Sequence, residues 1–232
     1  MEFKSYAVLD MKSRIDKAKK IEAVVEDFKR IKECKILDIG CGSGIIASYL
    51  GKKAKKVWAL DLVDERVEKR YFNFKKVKNE ALPFKNEFFN AVISNQVIEH
   101  VNNKEKHLSE IKRVLKNDGI CYLATANKFV IKEPHYNLLF LSWLPKNLAD
   151  FYIKLKRKGD NYDIRLLSFN SCTKSFKNAG FKVINYTPLV LMHPKKYCLE
   201  SSAMVKLAGK LPQFILTKLN SFMPSYIFVL KK

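Results

Sequence analysis

The chain has 232 residues, 47% of them apolar, enough for one good core and so for a single domain. It holds no run of about 20 apolar residues, which excludes a simple membrane-spanning helix. Its five cysteines (Cys34, Cys41, Cys121, Cys172, Cys198) are scattered without paired metal-ligand spacing and read as reduced thiols of a cytoplasmic protein. The formal charge of +21 is lopsided: residues 1–126 hold 26 basic and 18 acidic side chains, residues 127–232 hold 18 and 5. Such a field attracts phosphate on RNA, anionic lipid or a small molecule, unless it is only a solvated lysine-rich surface. The opening MEFKSYAVLD, with an acid at position 2, does not resemble a secretory signal.

Helical and strand periods alternate along the first half. Ile15, Ala18, Ile21, Val24, Val25, Phe28 and Ile31 recur at three- and four-residue spacing and predict an amphipathic helix over 10–31. KILDI (35–39) is a short strand, residues 45–50 a helix stopped by Gly51, and KVWAL (56–60) a second strand ending at Asp61. VDERVEKR (63–70) reads as a short helix, YFNFKKV (71–77) as a third strand, and FFNAVIS (88–94) as a fourth, apolar enough to be covered on both faces. NKEKHLSEIKRVLKNDG (103–119) reads as a helix with Leu108, Ile111 and Leu115 on one face and Gly119 as its stop, and ICYLATA (120–126) as the fifth strand. Residues 127–167, aromatic, apolar and basic at once, read as an inserted lid with one or two short helices. Helix, glycine stop and strand return in FNSCTKSFKNAGFKVINYTPLV (169–190), residues 199–222 form a pair of short helices broken at Pro212, and SYIFVL (225–230) is the last strand.

Such alternation means a parallel sheet with helices on both faces and a ligand beyond the carboxyl ends of its strands. Chemistry is then expected at Asp38–Gly44, Asp61 and Ser94–Gln96, where the sequence places its unusual polar and glycine residues. In DIGCGSG (38–44) the glycines let the backbone turn sharply and bring amides against a ligand. The dinucleotide pattern G-x-G-x-x-G is not matched, because the third glycine comes one place early. The carboxylate two residues ahead of the first glycine would repel a pyrophosphate and suit a cationic amino-acid end.

ILDIGCGSG (36–44), Asp61 behind KVWAL, NEALPFKNEFFNAVISNQVIEHV (79–101) and AGFKV (179–183), in this order, resemble the class I S-adenosylmethionine-dependent methyltransferases, and among them the quinone-biosynthesis and small-molecule subgroup. The resemblance covers residues 34–126 closely and the remainder more loosely. It implies an α/β fold: a Rossmann-like seven-stranded, mostly parallel sheet with helices on both faces, an inserted lid before the last strands, and SYIFVLKK as an antiparallel final strand. Within one domain, residues 1–33 would be an N-terminal helical segment and 34–126 the S-adenosylmethionine-binding core. Residues 127–167 would form the acceptor-binding lid and 168–232 complete the sheet. The implied cofactor is S-adenosyl-L-methionine as methyl donor, held by Asp38, Gly40, Cys41, Gly42 and Gly44. Asp61, with Leu62 beside it, would grip both ribose hydroxyls, because two adjacent donors need two acceptors. Asn79, Glu80, Ala81 and Leu82 would surround the adenine, and Asn95 and Gln96 the methionine end. The family's usual aspartate before LPF is missing; Asn79 or Glu80 would take its place, with Asn79 preferred. The acid common before strand four is here Asn90. Each residue also has a plainer role: Asp38 as a turn cap, Asp61 as a helix N-cap, Cys41 as a small filler.

Methyl transfer from a sulfonium is an in-line displacement in which positioning dominates, and nothing in the sequence requires a metal. A hydroxyl acceptor must also lose a proton. His100, in the subgroup's EH pair, and His135, in KEPHYN two residues from Glu133, are the two candidate catalytic bases; either could instead be a packed residue. The expected activity is O-methylation of a small-molecule or lipid- or sugar-linked acceptor, with possible peripheral membrane contact, in the cytoplasm. The alternative acceptor is tRNA or rRNA, which the charge favours and the missing N-P-P-Y or D-P-P-Y tetrapeptide after strand four opposes. A non-enzymatic binding protein is the third reading, opposed by the intact glycine loop.

Overall fold

The computed structural model describes residues 10–199 and 203–232. The segment read as free of a secretory signal lies largely outside the described residues, as does the start of the stretch 199–222. Helix α1 (Met11–Glu26) begins at Asp10, whose side chain accepts from the Lys12 amide, and buries Ala18, Ile21, Val24 and Val25. It is shorter than its apolar repeat: the chain turns at Asp27, whose carboxylate accepts from the Tyr186 and Tyr197 hydroxyls (2.7 and 2.6 Å) and from Lys196. Ile31 then opens a 3-10 turn rather than extending the helix.

Strand β1 (Lys35–Ile39), helix α2 (Ile45–Gly51), strand β2 (Lys56–Asp61), strand β3 (Asn73–Lys76) and strand β4 (Phe89–Asn95) follow the expected order. The expected helix over 63–70 is absent. The Val67 and Glu68 amides donate to the Ser43 carbonyl (3.0 and 3.1 Å), so this segment is drawn over the glycine loop instead of bonding to itself. Helix α3 (Lys104–Val114), capped by Asn103, ends five residues before Gly119. Leu115 is extended and pairs with Phe89, so strand β5 (Leu115–Ala126) begins there, and residues 116–119 bulge out before pairing resumes at Ala91↔Ile120. Gly119 thus serves a strand bulge and not a helix stop.

The inserted region contains a 3-10 turn (Leu141–Trp143) and helix α4 (Lys146–Leu155) around a small core of its own, including Tyr136, Leu141, Ala149 and Ile153. Helix α5 (Phe169–Asn178) and strand β6 (Lys182–Asn185) come next. Helix α6 (Thr187–Met192), with proline in its first turn, occupies residues that the sequence suggested would stay extended. Helices α7 (Ala203–Ala208) and α8 (Gln213–Lys218) flank Pro212, and strand β7 (Ser225–Lys231) closes the sheet.

The strand order is β3-β2-β1-β4-β5-β7-β6, with β7 antiparallel to both neighbours and the remaining pairs parallel. This is the expected seven-stranded, mostly parallel sheet with helices on both faces. Residues alternate between the two apolar layers: Ile36 joins Ile21, Val24 and Leu50 on one face, while Leu37 joins Leu108, Ile111 and Phe176 on the other. The chain leaves β1 toward β2 and returns on its other side as β4. The register Asp38↔Ala59 and Ile39↔Ser94 brings the carboxyl ends of these three strands level.

Candidate active site

At that switch point the glycine loop turns on left-handed residues, Gly40 at φ +68° and Gly44 at φ +76°. A Cβ on Gly44 would lie 2.2 Å from the Glu68 carbonyl oxygen, and one on Gly40 would lie 2.6 Å from Val97 Cγ2. Both positions therefore need glycine for space as well as for conformation. Asp61 ends β2 beside the loop: its Oδ2 accepts from the Gly42 amide and its Oδ1 from the Leu62 amide, each at 2.7 Å. Each carboxylate oxygen keeps a second lone pair, which is what two adjacent hydroxyl donors require.

Asp38 is buried, and its Oδ2 has no hydrogen-bond partner among the described residues. Burial, and then the negative charge of Asp61, push its carboxyl up to about 7, with Arg14 of α1 opposing them. An orphaned buried carboxylate is costly, and a cationic ligand group at this place would satisfy it. Arg14 had no signal in the sequence, because its relation to Asp38 arises only from helix packing. Cys41 is buried, and burial beside Asp38 and Asp61 drives its thiol far up, which suits a filler and not a nucleophile.

The residues expected around an adenine separate into two groups. Asn79 and Ala81 are exposed, with Asn79 Oδ1 accepting from the Ala81 amide (2.9 Å) and leaving the side-chain amide outward. Glu80 Oε1 accepts from the Asn102 and Asn103 amides (3.2 and 3.1 Å), and Leu82 is buried in the layer that holds Leu37. These two tie the segment down, while Asn79 and Leu62 are exposed to solvent. Gln96 holds a left-handed backbone (φ 58°), and the buried Asn95 Nδ2 lacks a partner among the described residues.

Directly after Gln96, Glu99 is buried with Oε2 accepting from the Thr125 hydroxyl (3.0 Å) and Oε1 unpartnered among the described residues; burial raises its pKa. The His100 and His135 rings meet edge to face at 4.9 Å. His135 Nδ1 lies 2.7 Å from Oε1 of the fully buried Glu133, whose Oε2 accepts from the His135 and Tyr136 amides. Burial, then the neighbouring His135 charge, lowers His100 to about 4. One ligand atom each from Glu99, His100 and His135 lies within 4.8 Å of the others, so the trio is able to hold a proton or a cation. The sequence singled out His100, in its EH pair, and His135 as separate candidates; that they meet around Glu99 was not foreseen. Glu99 and His100 also line a cavity of about 530 Å³, closed on the insertion side by Lys128, Lys146, Tyr162 and Arg165. These last residues were not foreseen; the tract DNYDIR (160–165) gave only a polar loop signal.

Residues 37–123 match the methyltransferase domain family. The ubiquinone biosynthesis O-methyltransferase of Pelagibacter ubique is 28% identical over a stretch covering 71% of this chain and 80% of that protein, and the enzyme of the same name from Rickettsia prowazekii is 29% identical, covering 70% and 68%. Among solved structures, an S-adenosylmethionine-dependent methyltransferase from Mesorhizobium loti superimposes with a TM-score of 0.61 at 12% identity, covering 94% of this chain and all of that one. Phosphoethanolamine N-methyltransferase 2 of Haemonchus contortus in complex with S-adenosyl-L-methionine gives 0.56 at 15% identity, covering 96% and 57%. The sheet order, the matched domain and these relatives agree: residues 37–123 are a methyltransferase domain, and the protein is a methyltransferase with S-adenosylmethionine as its methyl donor.

Proposed function

We propose that this enzyme methylates a ring hydroxyl of a lipid-linked small molecule of the quinone-precursor type, working in the cytoplasm. The Glu133–His135 pair beside His100 carries this reading. A hydroxyl acceptor needs a proton acceptor; Glu133, which already accepts from two backbone amides, is placed to accept from His135 Nδ1 as well and so to leave Nε2 as the basic nitrogen. His100, held near 4, is too weak a base to keep a proton at neutral pH and is a packing partner of His135 in this scheme. The relatives' names favour an O-methyl product and a quinone-type acceptor.

When bound, S-adenosylmethionine supplies a methyl group already activated on a sulfonium. The chain's own part is to pair the ammonium with Asp38, hold the ribose on Asp61, and place Asn79 at the adenine edge. Glu99 and the lining of the 530 Å³ cavity then orient the acceptor at the end of β4, so that positioning supplies most of the rate. His135 Nε2 would take the proton that the acceptor hydroxyl must lose as the methyl group leaves the sulfonium sulfur, which departs as a neutral thioether.

The test is transfer of labelled methyl groups from the donor to a dihydroxylated benzene ring bearing an isoprenoid tail, beside bulk tRNA and polyprenyl-linked sugar. Label in the ring ether supports the reading; label in RNA or sugar overturns it. His135→Ala is expected to lower kcat by about 10²- to 10⁴-fold with donor affinity unchanged, the usual contribution of a general base. Glu133→Gln should lower kcat less and shift the pH profile.

A further inference from the structure

The inserted region carries an outward surface that its own packing does not explain. Helix α4 turns Ala149 and Ile153 inward, both fully buried, yet its outward stripe is also apolar: Leu148, Phe151 and Leu155, at spacings of three and four, with Phe151 and Leu155 each 65% exposed. Beside it Trp143 is 47% exposed, with its ring edge to face against Phe129 (5.8 Å) and Phe140 (5.3 Å), and its indole nitrogen donates to the Val130 carbonyl (3.0 Å). Phe222, 81% exposed, adjoins this region, because Asn127 Nδ2 donates to the Ser221 and Met223 carbonyls (both 2.8 Å). A solvated helix has no reason to be apolar on both sides, and an apolar patch of this kind rimmed by polar groups marks an interaction face.

The charge around the patch says what that face meets. Residues 127–158 contain seven basic side chains and two acids. Glu133 is fully buried against His135, and Asp150 is taken up by Lys146 and by the Tyr162 amide, so neither acid offsets the field outside. Lys154, beside the last residue of the apolar stripe, and Lys156, Arg157 and Lys158, just after it, are exposed. Long basic side chains reach outward from an apolar seat toward anionic headgroups. Lys128 and Lys146 also line the cavity, so the wall bearing the apolar face on its outside is the wall of the acceptor cavity on its inside.

We propose that this face, α4 with the aromatic cluster at Trp143, seats the enzyme on an anionic bilayer, with Phe151, Leu155 and Trp143 at the acyl boundary. The proposal goes beyond the acceptor reading and stands without it, since it concerns the outer surface alone. It is tested by flotation and tryptophan fluorescence with vesicles of phosphatidylcholine and of phosphatidylcholine mixed with phosphatidylglycerol. The expected result is co-flotation with the mixed vesicles, a blue shift of emission, and shielding from an aqueous quencher, with the fluorescence change absent in Trp143→Phe. Phe151→Glu/Leu155→Glu should weaken vesicle affinity at least about tenfold, while far-ultraviolet circular dichroism and donor affinity stay unchanged. Failure to float, flotation without a fluorescence change, or wild-type flotation of the double variant would each overturn it. So would light scattering that shows a dimer which the double variant converts to monomer, because the face would then belong to a second copy.

Discussion

Asp38 links the acidity of one buried carboxyl to both folding and ligand affinity. Its pKa is raised from the ordinary carboxyl value of 3.8 to about 7 by burial and by Asp61, so the folded chain holds this proton more tightly than the unfolded chain does. Its contribution to stability is therefore greatest below about 4, declines as pH rises to about 7, and is flat above, by linkage. Without donor, Asp38→Asn should be more stable than wild type at pH 8 by on the order of a few kcal/mol, and should lose the advantage at acid pH; thermal melts across pH read this directly. Binding of a cationic amino-acid end needs the ionised form, so donor affinity should rise with pH through the neutral range in wild type and not in the variant. Asp61→Ala removes two acceptors at once and should weaken the donor at least about tenfold by calorimetry. Both acids stood out in the sequence because each lies at the carboxyl end of an apolar strand, Asp38 one residue before the end and Asp61 at it, where a charge is otherwise unfavourable. Arg14, Tyr162 and Arg165 were not, since their roles depend on distant parts of the chain meeting around the site.

The segment over 63–70 shows where local pattern stops being informative. VDERVEKR has the composition of a solvated helix, but tertiary bonds from Val67 and Glu68 to the Ser43 carbonyl hold it open. Arg66 lies over the Phe74 ring at 3.7 Å and pairs with Asp64 through two 2.7 Å bonds. Gly44→Ala should therefore damage two elements together: the left-handed residue is strained by about 1–2 kcal/mol, and the new Cβ meets the Glu68 backbone. We expect a lower melting temperature and lost donor binding, whereas Gly51→Ala, which meets the Tyr71 carbonyl far from the loop's amides, should lower stability more than affinity. Where residues alternate between two apolar layers, as in KILDI, the pattern was decisive, because a shift of one residue would put charge in the core. The junction of α3 and β5 was misleading for a related reason. Leu115 continues the helical stripe by spacing, but its side chain serves the same layer equally well from a strand paired with Phe89.

At the scale of the whole molecule, the end of the first helix is fastened at Asp27 to residues 186–197. Its carboxylate takes two tyrosine hydroxyls and Lys196 from segments more than 150 residues away. Partial burial opposes ionisation, but the bonds from Lys196, Tyr197 and Tyr186 prevail and hold the carboxyl below its ordinary range. The contribution is present above that ordinary range and lost as pH falls through the lowered value. Asp27→Ala should destabilise by about 2–4 kcal/mol, since the buried Tyr197 loses its acceptor, and the deficit should shrink in strong acid; denaturant melts at two pH values check this. The order of strands has a further consequence. β7 is synthesised after every other strand, yet it sits between β5 and β6. While a ribosome still shelters residues 225–231, β5 presents a bare edge and β6 has no neighbour to join. The nascent chain must therefore wait, with its amide ladder open to unwanted pairing, until β7 slides in between β5 and β6.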